Sequence, residues 1–143
     1  RGPQHLVSIV AMTQSLSTFL TFQGGTATSA LNLYRDAFDD FEIIEIDYYG
    51  ADGPGPEGTV ISARFRIGGA NLGCADSPIA HEWEFTPAIS IWIDCDNHEE
   101  LERGFLRLAD GGEVFMPLDD YGFSTRFGWV SDPYGVTWQL NLP

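Results

Sequence analysis

Apolar and polar positions along this chain follow two periods that take turns. Leu16 to Gln23 (LSTFLTFQ) alternates and reads as a strand closed by Gly24-Gly25. In ATSALNLYRDAF, Ala30, Tyr34 and Ala37 recur at helical spacing beside Leu33 and Phe38, and Thr26 or Thr28 is placed to cap that helix. Phe41 to Tyr49 is rich in β-branched and aromatic residues and predicts a strand, and GADGPGPEG after it is a loop. Val60 to Ile67 alternates, Gly68-Gly69 turns the chain, and Ala70 to Ala75 returns.

After a segment bounded by Pro78 and Pro87 the same order comes round again. Ala88 to Cys95 predicts a strand. Asp96 or Asn97 caps a helix whose inner face is Leu101, Phe105 and Leu108, and Gly111-Gly112 ends it. Glu113 to Met116, Ser124 to Val130 and Val136 to Leu142 are the remaining strands, with Asp132-Pro133-Tyr134-Gly135 as a turn without a catalytic role. Leu20 and Phe22 correspond to Ile91 and Ile93, and Ala30, Tyr34 and Ala37 to Leu101, Phe105 and Leu108, at one constant spacing. The chain is therefore read as an internal repeat of βαβββ. Residues 1–15 form a leader or tag-like segment, with Met12 the expected native start. Residues 16–77 are the first module, 78–87 a linker and 88–143 the second module, all in one domain.

Composition narrows the function. The 143 residues are 43% apolar and 20% charged, as expected of a globular protein long enough to bury a core. Acidic residues number 21 against 7 Arg and no Lys, a net charge of −14. Nucleic acid and anionic membrane surfaces are poor partners for such a chain. No apolar run approaches the ~20 residues of a membrane span. Cys74 and Cys95 stand in no metal or redox spacing, so two reduced, buried thiols in a cytoplasmic protein are expected.

Three segments, TFLTFQGGTATSALNLYRDAF, PAISIWIDCDNHEELERGFLRL and DDYGFSTRFGWVSDPYGVTWQLNL, resemble the vicinal-oxygen-chelate superfamily of glyoxalase I, bleomycin-resistance proteins and extradiol dioxygenases. The likeness is closest to its PhnB-like branch, which carries the description 3-demethylubiquinone-9 3-methyltransferase. The resemblance implies an α+β fold: two βαβββ modules whose curved mixed sheets form a cup, with helices on the convex face, in a homodimer. It does not extend to methyl transfer. The chain has no G-x-G-x-x-G turn and too few elements for a doubly wound sheet.

Strand alternation assigns the cup lining. Phe19, Thr21 and Gln23 in the first strand face inward, as do Trp92, Phe127, Trp129 and Gln139 in the second module. Leu20, Phe22, Ile89, Ile91, Ile93, Val136, Trp138 and Leu140 form the core. Arg64 and Arg66 share one face of their strand, and with Arg126 they are candidates for holding an anionic group through guanidinium hydrogen bonds. Metal-dependent members of the superfamily place His, Gln or Glu at four cup positions. The repeat register brings these to Ser17, Gly73, Ala88 and Gln139, of which only Gln139 offers a donor of that kind, so neither a metal nor another cofactor is expected. Asp119, Asp120 and Tyr121 form a loop at the cup mouth, and His81-Glu82-Trp83-Glu84 reads as a solvated linker segment.

The expected function is a homodimeric small-molecule-binding protein whose ligand sites are Phe19, Thr21, Gln23, Arg64, Trp92, Arg126, Phe127, Trp129 and Gln139. Two readings compete with it. One is a metal-dependent enzyme of the superfamily, of lyase, isomerase or dioxygenase type. The other is an interaction dimer whose cup is filled by its own side chains.

Overall fold

Parallel pairing of a first strand with a fourth shapes each half of the molecule. The computed structural model describes residues 14–143, so the expected leader lies almost wholly outside the described residues. The first half contains β1 (Thr18–Phe22), α1 (Ala27–Ala37), β2 (Glu42–Tyr48), β3 (Val60–Ile67) and β4 (Ala70–Asp76). The second contains β5 (Ile91–Asp94), α2 (His98–Ala109), β6 (Glu113–Asp119), β7 (Arg126–Ser131) and β8 (Thr137–Leu142). The sheets run β1-β4-β3-β2 and β5-β8-β7-β6. In each, the first strand lies parallel to the fourth and the other pairs are antiparallel. This is the expected α+β repeat, two four-stranded mixed sheets with one helix apiece.

The β3 strand runs over the predicted residues, because Val60, Ala63, Phe65 and Ile67 bury one side of it and Gly68 and Gly69, at φ 57° and 82°, supply the tight turn that follows. Elsewhere the boundaries move for local reasons. β5 begins at Ile91 rather than Ala88, since residues 87–88 form a turn after Pro87. Ile89, expected in the core, is 71% exposed. β6 continues past Met116 through Pro117 to Asp119, which an edge strand tolerates because it need not donate on its outer side.

The core lies where the halves meet. Trp138, Tyr34, Phe22, Phe65, Leu101, Leu108 and Leu140 are fully buried, each contributing roughly 1.5–3 kcal/mol of apolar burial. The Tyr34 ring meets Trp138 edge-on at 4.9 Å, and Phe38 tilts against the same indole at 5.1 Å. Asp132 is buried among them. Its Oδ2 accepts from the Tyr34 hydroxyl at 2.7 Å and Trp138 Nε1 at 3.0 Å, and its Oδ1 accepts from the backbone N–H of Tyr134 and Val136.

Helix capping differs between the halves. Asn97 caps α2 by accepting from the N–H of Glu100 at 2.8 Å, as expected. Thr26 occupies the corresponding place before α1, but its side chain makes no capping bond. Buried Asp76, at the end of β4, accepts instead from the N–H of Ala27 at 2.9 Å and of Val60 at 2.8 Å.

Candidate functional site

The β5·β8 and β7·β8 ladders put Trp92, Gln139 and Trp129 on one rung, with Met116 of β6 next in line. They occupy the sheet face opposite the core residues Val130, Trp138 and Leu140, because side chains alternate. Trp92 is 49% exposed. Its Nε1 donates to Asp94 Oδ1 at 3.0 Å, and the same oxygen accepts from Asn141 Nδ2 at 3.0 Å. Those two bonds, that from Asn141 foremost, hold the Asp94 carboxyl below its ordinary range. Phe127 lies beneath, its ring 5.5 Å from Trp92, 5.1 Å from Phe123 and 6.0 Å from Tyr121. The Tyr121 hydroxyl donates to Pro117 O at 2.6 Å, which fastens this loop over Phe127. Trp129 leans on Phe115 at 5.2 Å, and its buried Nε1 has no hydrogen-bond partner among the described residues.

The first half repeats that rung with different chemistry: Phe19, Gly73, Arg64 and Glu45. A Cβ on Gly73 would stand 2.8 Å from Phe19 Cδ1, so only glycine lets the ring lie there. Arg64 gives Nε and Nη2 to Glu45 Oε1 at 3.1 and 3.0 Å. On the next rung Arg66 pairs with Glu42 at 3.5 Å and donates Nε to Asn71 Oδ1 at 3.1 Å. A recess of about 270 Å³ opens here, lined by Ser17, Phe19, Ser62, Arg64, Asn71 and Gly73, among others.

The nine expected ligand residues therefore separate. Trp92, Phe127, Trp129 and Gln139 come together, and Phe19 and Arg64 share the other rung. Thr21 and Gln23 line a hollow of about 240 Å³ with Trp83, Phe85 and Tyr134. Both ends of the Gln23 amide serve the linker, Oε1 accepting from His81 N at 2.6 Å and Nε2 donating to Trp83 O at 2.8 Å. Beside it the His81 ring stacks on Trp83 at 4.2 Å, so the linker is fastened at its backbone while Glu82, Trp83 and Glu84 stay exposed, as expected of a solvated segment. Arg126 points the other way. It pairs with Glu102 of α2, on the face where a Cβ on Gly128 would strike the Phe105 ring, because it alternates with Phe127 and Trp129. Tyr121, expected in the loop at the cup mouth, stands against Phe127 together with Phe123, which the sequence reading did not single out. Their alternation with Phe127 was legible, but the loop that carries them gave no strand pattern to orient them.

A family model described as 3-demethylubiquinone-9 3-methyltransferase matches residues 14–141, nearly all of the described chain. This protein belongs to that family. A PhnB protein of Bacillus cereus with the same description is 46% identical, and its solved structure superposes with a TM-score of 0.85 over 91% of this chain and 100% of its own. An uncharacterised protein of Mycobacterium bovis is 30% identical over 123 residues, covering 82% of this chain and 76% of that protein. The fosfomycin resistance protein FosX of Mesorhizobium loti, at 12% identity, shares the fold with a TM-score of 0.57 over 92% of this chain and 93% of its own. The likeness to FosX is one of fold.

The metal positions that the resemblance implies do not fit a divalent ion here. Gly73 has no side chain and lies under the Phe19 ring, while Ala88 stands in a turn ahead of β5. Gln139 remains as one neutral donor, and Ser17 offers only an exposed hydroxyl. Among the described residues no three His, Cys, Asp or Glu side chains gather to replace them.

Proposed function

We propose that this protein is a homodimeric small-molecule-binding protein of the cytoplasm, with no methyltransferase activity. The aromatic rung takes the ligand: a flat molecule lies against Trp92 and Trp129, with Gln139 setting its orientation. The observation that carries this reading is the placing of two indoles, one of them half-exposed, on either side of one amide side chain. Aromatic faces give large contact area. Two four-stranded sheets, each with a single parallel pair, offer none of the doubly wound architecture that a dinucleotide-type cofactor turn uses. Exposed Phe19, Ile89, Trp92 and Phe123 support pairing with a second copy. Two free, buried cysteines suit a reducing compartment.

The test is a tryptophan-fluorescence titration with a panel of small aromatic acids, run on wild type, Trp92→Ala and Trp129→Ala. Quenching that saturates in wild type and weakens at least several-fold in both variants is expected. Equal affinity in all three proteins overturns the site. Native mass spectrometry on the same samples should show a two-chain species, and a persistent single chain at micromolar concentration overturns the dimer.

A further inference from the structure

The half of the fold without the paired indoles has a recess of its own, and its free groups are donors. Arg64 directs Nε and Nη2 to one oxygen of Glu45, which leaves Nη1 without a protein acceptor among the described residues. Asn71 spends its carbonyl oxygen on Arg66, so the amide is held in one orientation and its Nδ2 is the group left to give. The Ser62 and Ser17 hydroxyls line the same space. Five Arg side chains of the described residues have polar partners, and one of them, Arg64, lines this recess. At about 270 Å³ the space suits a molecule smaller than a drug-sized ligand.

We infer that this recess is an oxyanion subsite: the carboxylate or phosphoryl group of a small molecule binds the Arg64 guanidinium and Asn71 Nδ2, with Glu45 as the built-in competitor for the guanidinium. The Arg64 and Glu45 side chains are 64% and 57% exposed. An exposed pair of this kind has little net stability, so an incoming anion displaces Glu45 into water at small cost. The planar guanidinium then presents a two-pronged edge to the new oxygens. The overall charge of −14 repels anions at long range, so recognition depends on this local donor set and not on steering. The inference rests on the small-molecule reading only for the identity of the natural ligand, since no residue of the Trp92–Gln139–Trp129 rung takes part.

The experiment uses ¹⁵N-labelled protein titrated with inorganic phosphate, with acetate in a second arm and chloride at matched ionic strength as control. Saturable shifts of the Asn71 side-chain amide and the Gly73 backbone amide are expected with an oxyanion and not with chloride. The tighter of phosphate and acetate identifies the group. Arg64→Leu should abolish the shifts, and Glu45→Gln should tighten binding several-fold by removing the competitor. Trp92→Ala should leave them unchanged, which separates failure of the aromatic site from failure of this one. Shifts that chloride reproduces, that survive Arg64→Leu, or that Glu45→Gln leaves no tighter overturn the subsite.

Discussion

The hydroxyl of Tyr34 in α1 donates to Asp132 in the β7–β8 turn at 2.7 Å, joining the two halves of the chain across 98 positions of sequence. Both residues are buried. Burial, reinforced by Asp132, holds the Tyr34 phenol well above its usual pKa, so the hydroxyl remains a donor. Tyr34→Phe keeps the ring against Trp138 and removes only this bond. A loss of about 1.5–3 kcal/mol is expected, the range for a hydrogen bond to a charged group. Urea unfolding with an unchanged m-value checks it, and a midpoint equal to wild type would show that the bond contributes nothing net.

Asp132 also predicts a pH dependence. Burial raises its pKa above the ordinary carboxylate range, and the hydrogen bonds from Tyr34, Trp138, Tyr134 and Val136 pull it only part of the way back. The folded protein therefore holds this proton more tightly than the unfolded chain. The associated stability is present below about pH 4 and is lost as pH rises through the folded pKa. In Asp132→Asn the amide nitrogen faces the Trp138 N–H, donor to donor, at a cost of about 1–3 kcal/mol. The stability gap between wild type and this variant should narrow as pH rises across that window. A gap that widens would mean that the four donors outweigh burial.

Asp76→Ala should orphan two buried N–H groups at once, those of Ala27 and Val60. At about 1–3 kcal/mol each, the loss is among the larger ones open to a single polar residue. Hydrogen exchange locates it: the Ala27 and Val60 amides should exchange faster, while the Asn97-capped start of α2 keeps its protection. Uniform acceleration across the chain would instead mark a global defect.

What was legible in the sequence was whatever depends on near neighbours. The alternation of Val60 to Ile67, the glycine pair after it and the Asn97 cap are all short-range signals, and all appear as read. The cap of α1 is supplied by Asp76, 49 residues from Ala27, so no local motif around Thr26 announces it. Gln23 and Arg126 have the residue types of a binding site, but one is spent on the linker backbone and the other on a helix carboxylate. Those partners are set by tertiary packing, which periodicity does not encode. The rung of Trp92, Gln139 and Trp129 was readable because strand alternation and the repeat both constrain it.

The thiols of Cys74 and Cys95 are buried and pushed up to about 12, chiefly by desolvation. Thiolate is the reactive form, so both should be silent toward a thiol-specific chromogenic reagent at about pH 8 in native protein and react promptly in denaturant. Rapid stoichiometric reaction of the folded protein would contradict the burial of these two side chains.

Each sheet presents the same backbone rung, once as Phe19–Gly73–Arg64–Glu45 and once as Trp92–Gln139–Trp129–Met116. Duplication has let a single geometric frame carry two vocabularies, charge in one half and π faces in the other. Each rung is held by its own ladder and its own helix, so a residue exchanged on one need not be accommodated on the other. Such a molecule can change the chemistry of one rung while leaving the other as it is.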